Sequence, residues 1–117
     1  MSASKAKGTK AESALVSYLR TQGFPHVERR ALSGVNDKGD VAGCHGLVFE
    51  MKNVKTYAIP AWLKETEIEK DNAGADFGVL VVKPNRIGLN SPEKFWAVMS
   101  LEDMVALLHA AGFGEPL

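Results

Sequence analysis

The sequence has little of what marks a disulfide-built, secreted or membrane-spanning protein. Cysteine occurs once, at Cys44, which excludes an intrachain disulfide and a multi-cysteine zinc site and agrees with a reducing compartment. No stretch approaches the ~18 apolar residues needed to cross a bilayer. The N-terminus is rich in Lys, Ser and Ala rather than basic and then apolar, unlike a secretory leader. A cytoplasmic protein with no membrane partner is expected. The three histidines, His26, His45 and His109, are scattered without metal-ligand spacing, and there is no internal repeat. Net charge is also missing: 14 Lys and Arg balance 14 Asp and Glu. The balance is uneven along the chain, however. Residues 1–60 hold nine basic side chains against five acidic ones, a net +4, and the remainder is −4, so one face can be basic enough to meet a polyanion.

With 117 residues, the chain has the size of one domain with one modest core. Residues 1–8 read as a flexible basic arm, either solvated or touching DNA, and residues 9–117 as a single domain. From Thr9, the apolar residues Ala11, Ala14, Leu15, Tyr18 and Leu19 form one helical stripe that stops at Gly23. His26 to Leu32 is a first strand, followed by a Gly/Asn/Asp-rich loop over Ser33 to Gly39. Asp40–Gly43 and Leu47–Asn53 form a hairpin. Pro60 opens a second helix that ends at Gly74, with a weak apolar stripe. Phe77–Val82 is a valine-rich strand buried on both faces, and Phe95–Met99 is a further strand. Ser100 caps a last helix carrying Leu101, Met104, Val105 and Leu108 on one side. The order α-β-β-β-α-β-β-α implies an α/β fold with a mixed central sheet flanked by helices.

The chemistry concentrates in the hairpin. Side chains alternate along Leu47–Lys52, so Leu47, Phe49 and Met51 face one way while Val48, Glu50 and Lys52 face the other. A three-residue loop, Cys44-His45-Gly46, with Gly46 in the left-handed position, sets Val41 opposite Phe49 and Asp40 opposite Glu50. Two carboxylates then share a face with Cβ atoms roughly 5 Å apart, an arrangement that costs stability unless a cation lies between them. Oxygen ligands of this kind suit Mg²⁺, with Mn²⁺ as a substitute, rather than Zn²⁺. Lys52 on the same face can hold a water or a phosphate beside the metal. A plain exposed hairpin face with a Glu50–Lys52 pair is the competing reading.

Gly39-Asp40 followed by Glu50-Met51-Lys52 resembles the signature of the PD-(D/E)xK nucleases, with Gly39 where that family has proline. Glu12 on the first helix, and Ser33-Gly34 after Arg29-Arg30, are similar to features of the archaeal-type Holliday junction resolvases and their phage and bacterial relatives. The resemblance implies a restriction-endonuclease-like fold and a Mg²⁺-dependent endonuclease that hydrolyses phosphodiester bonds as a homodimer, acting on four-way DNA junctions in recombination and repair, in a bacterial cell or a phage-infected host. It implies Glu12, Asp40 and Glu50 as metal ligands, Lys52 as the residue activating water, and Ser33 near the scissile phosphate.

Several alternatives stay open. Thr9-Lys10-Ala11-Glu12 is also a capping box, in which Glu12 would serve the helix and not a metal. DNA contacts are expected from Lys5, Lys7, Lys10, Arg29, Arg30, Lys38, Asn53 and Lys55, although Arg29 and Arg30 alternate faces on a strand. Tyr57 and Trp62 either stack on bases or anchor the second helix. The same fold could serve a restriction-like or repair endonuclease with another DNA substrate, or a non-catalytic DNA-binding module.

Overall fold

A computed structural model describes residues 3–30 and 39–117. Ser33 and Lys38, expected respectively near the scissile phosphate and on DNA, lie outside them. The order is α1 (Ala3–Thr21), β1 (Glu28–Arg29), β2 (Val41–Cys44), β3 (Leu47–Lys52), α2 (Ile59–Ala73), β4 (Phe77–Val82), a 3₁₀ turn (Pro92–Lys94), β5 (Trp96–Val98) and α3 (Leu101–Ala110). The five strands form one mixed sheet in the order β1-β2-β3-β4-β5. Strands β1 to β3 are antiparallel, α2 carries the chain over to β4 parallel to β3, and β5 returns antiparallel. The α/β class and the mixed sheet are as expected. Among the described residues, no helix is long and apolar enough to cross a membrane.

The helix expected from Thr9 begins at Ala3. Residues rich in Ala and Lys favour helix even with little to bury, and the Asn53 side-chain amide donates to the Lys7 carbonyl at 3.3 Å, tying the first turns to the end of β3. Thr9 is therefore internal to α1 and is not its cap, which removes the capping-box role for Glu12. The buried face of α1 is Ala11, Leu15 and Val16, so the stripe is turned slightly toward Val16 from the one the spacing suggests. It packs with Val27, Val41, Phe49, Met51, Val79 and Val81 on one side of the sheet. On the other side Trp62, Leu80 and Val82 form a smaller cluster under α2, joined by Tyr57 and Val98. Trp62 is thus an anchor for α2, as the plainer of its two readings had it.

The β2–β3 turn is tighter than expected. Cys44 pairs with Leu47, leaving His45-Gly46 as the loop, and an irregularity between Val41 and Cys44 brings Val41 back opposite Phe49. Gly43 makes this possible. Its φ is +98°, and a Cβ there would collide with the His26 carbonyl, so the extra residue is taken up where only glycine fits. The bulge restores the register on which the Asp40–Glu50 pairing depends.

Candidate metal centre

Asp40 enters the hairpin just before β2, its N–H donating to the Phe49 carbonyl at 2.9 Å. Its carboxylate turns across the strand pair, and Oδ2 accepts from the Met51 N–H at 2.9 Å. Glu50 projects from β3 onto the α2 side of the sheet, as the alternation requires, and comes within hydrogen-bonding reach of the Asp40 carboxyl. The expected juxtaposition of these two acids is present. That face is not open, however, because α2 lies over β3 and Glu50 is only 2% exposed.

Helix α2 supplies two further acids, Glu65 and Glu69, that lie outside the hairpin. Its buried residues are Trp62, Thr66 and Glu69, spaced i, i+4 and i+7, which is the period of a core-facing stripe. Two of its three positions are polar. Thr66 satisfies itself by donating to the Trp62 carbonyl at 2.7 Å, whereas Glu69 brings a carboxyl beside Glu50. Glu65, on the neighbouring ridge, reaches Lys52 with an Nζ–Oε2 distance of 3.0 Å. The weak apolar stripe of the second helix was the available signal: following Trp62 by four and then three residues lands on Thr66 and Glu69.

Burial dominates the electrostatics here. The Glu50 pKa is pushed far above the carboxylate range by desolvation first, and then by the neighbouring Asp40 and Glu69 carboxyls. No donor among the described residues reaches Glu50 Oε2. Lys52 sits over the Trp62 ring, 5.9 Å from its centroid. Desolvation, the largest influence on it, pulls its pKa down, but the hydrogen bond to Glu65 and the charges of Glu50, Glu65 and Asp40 outweigh that and raise it. Lys52 is therefore firmly an ammonium ion.

Glu12 stands on the other side of Asp40. Its pKa is raised by desolvation and by Asp40, against an opposing contribution from Arg29, whose Nε lies 3.2 Å from Glu12 Oε1. Arg29 also donates to Thr9 Oγ1 at 3.4 Å, so this expected DNA contact has partners within the protein. Asp40, Glu50 and Lys52 thus stand together around the start of β2 and the end of β3, whereas Glu12 feels the charge of Asp40 but does not join Asp40 and Glu50 in a three-carboxylate cluster among the described residues. Lys5, Lys7, Lys10 and Lys55 are exposed around the periphery, and Asn53 is buried. The donor set at the centre is all carboxylate oxygen, which fits a hard divalent cation. Asp40 and Glu50 would hold such an ion.

Compared with protein-family models, with curated proteins and with solved structures, the chain shows no significant match to any of them.

Proposed function

We propose that this protein is a divalent-metal-dependent DNA endonuclease that resolves four-way junctions as a homodimer. The observation that carries the proposal is the meeting of Asp40 and Glu50 at a sheet end with a protonated Lys52 on the Glu50 side. The antiparallel β1-β2-β3 unit, with a helical crossover to a parallel β4, supports a restriction-endonuclease-like topology.

Phosphodiester hydrolysis needs a nucleophilic water and a counter-charge for the phosphate oxygens. Asp40 and Glu50 would hold a cation that, when bound, would supply Lewis acidity and lower the pKa of a water. The protein's own residues do the rest. Asp40 is oriented by the Met51 N–H and cannot swing away without losing that bond. Glu50 is fixed by burial under α2. Lys52, kept charged by its acidic surroundings, acts as a donor to a phosphate oxygen rather than as a base. Arg29 pairs with Glu12, and the exposed Lys7, Lys10 and Lys55 would supply contacts to phosphates on the arms of the substrate.

The test is cleavage of junction, flap and linear duplex DNA by purified protein with and without Mg²⁺. Paired nicks in opposing strands of the junction are expected, absent without metal and absent in Asp40→Asn and Glu50→Gln. Preference for a flap or duplex would reassign the substrate within nuclease chemistry, and DNA binding without Mg²⁺-dependent nicking of any form would overturn the enzymatic reading.

A further inference from the structure

We propose that Glu50, Glu65 and Glu69 form a second divalent-cation position on the α2 side of Glu50, separate from the Asp40 side. The inference rests on the reading above only in that Glu50 is shared between the two positions.

Glu65 and Glu69 lie one helical turn apart on α2, and Glu50 comes from β3 beneath them. One carboxylate oxygen from each lies within 4.8 Å of those of the other two. Proximity of acids alone would not make a site. Here Glu50 is 2% exposed and its Oε2 is sealed from water with no donor, and an acceptor left in that condition costs stability that a bound cation would recover. The ligands also stand on a helix and a strand rather than on loops, so the geometry is held by the packing of α2 on the sheet.

An all-carboxylate set suits a hard divalent cation such as Ca²⁺, Mg²⁺ or Mn²⁺. Glu65 is the half-exposed member and so marks the side from which an ion enters. It is also the residue that holds Lys52, so loading of this position and the Lys52–Glu65 pair compete for the same carboxylate.

The experiment is calorimetric titration of EDTA-stripped full-length protein with Ca²⁺ and with Mn²⁺, without DNA. Two sites are expected in the wild type. Glu69→Gln and Glu65→Gln should each weaken one site at least tenfold and leave the other, whereas Asp40→Asn should do the reverse. Wild-type stoichiometry and affinity in both α2 variants would overturn the proposal. So would a single site lost in every variant, Asp40→Asn included, since that describes one shared centre. If Glu69→Gln fails to fold by circular dichroism, Glu65→Gln at the rim decides the matter. DNA cleavage measured in parallel separates the two readings. Two-site binding without cleavage removes the nuclease and keeps the cation position, and Mg²⁺-dependent cleavage with no α2-dependent binding does the opposite.

Discussion

Lys52 and Glu50 are two residues apart on one strand face, and burial disfavours the charge of both, but the surrounding acids act on the two charges in opposite senses. Lys52 keeps its charge because acids surround it; Glu50 loses its charge because acids surround it and water does not. The first makes Lys52 a fixed electrostatic donor. Lys52→Ala should therefore lower single-turnover cleavage by something on the order of 10²-fold, the scale of losing one such group, with little change in junction affinity. Reduced affinity with a normal rate at saturation would make it a binding residue instead. The second has a consequence for stability. A carboxyl whose folded pKa is raised binds its proton more tightly when folded, so its stabilising contribution is complete below its unfolded pKa of about 4.3 and is lost progressively as pH rises above that. In EDTA, the stability of Glu50→Gln relative to wild type should accordingly increase between pH 5 and pH 8, as read from denaturant midpoints. A difference that is flat across that range would mean the carboxyl is not held protonated.

At the scale of elements, the position of α2 decides what the hairpin becomes. The helix can approach the sheet closely because β4 has Gly78 beneath it. A Cβ at Gly78 would lie 3.0 Å from both the Thr66 methyl and the Thr66 carbonyl oxygen, and 3.2 Å from the Lys70 Cβ. Gly78→Ala should cost about 1–3 kcal/mol as an overpacked contact. By lifting α2 it should also weaken cation binding that depends on Glu65 and Glu69 more than binding that depends on Asp40. Thermal denaturation and metal titration of the same variant check both outcomes, and an unchanged melting temperature would show that the helix–sheet contact is looser than the structure has it. The hairpin depends in a similar way on Gly43. Without the bulge, the pairing that begins at Cys44 and Leu47 would run one residue out of step, and Asp40 would no longer stand opposite Glu50.

On the scale of the whole molecule, α3 is the element with an uncovered apolar face. None of its residues is buried, and exposure along its stripe runs from 38% at Met104, through Leu108 and Val105, to 77% at Leu101. Its N-terminus is built as the sequence suggests, with Ser100 Oγ accepting from the Asp103 N–H at 3.1 Å, so the exposed stripe belongs to a well-capped helix. The homodimer proposed above would use this stripe as its contact. Antiparallel pairing of two copies about a two-fold axis would set the acidic first turn of one α3, Glu102 and Asp103, against the His109 end of the other. Leu108→Glu should convert a dimer into a 12.6 kDa monomer by light scattering and uncouple the two junction cuts while leaving metal binding intact. A wild-type protein that is monomeric while fully active on junctions would remove the dimer.

What could be read from the chain alone is what short-range geometry dictates. Strand alternation put Phe49 and Met51 on one face and Glu50 and Lys52 on the other, the Val41–Phe49 register placed Asp40 beside Glu50, and the apolar run Phe77–Val82 became β4 with the same bounds. Each of these follows from a period of two or from a turn a few residues long. The tertiary structure alone decided that the charged face of β3 would be covered, that Glu65 and Glu69 would stand over Glu50, and that Glu12 would be held by Arg29 rather than by its own helix end. Those contacts join residues far apart in sequence. They depend on how closely a crossover helix settles on a parallel strand pair, and that distance is set by packing at Gly78 and not by any local pattern in α2.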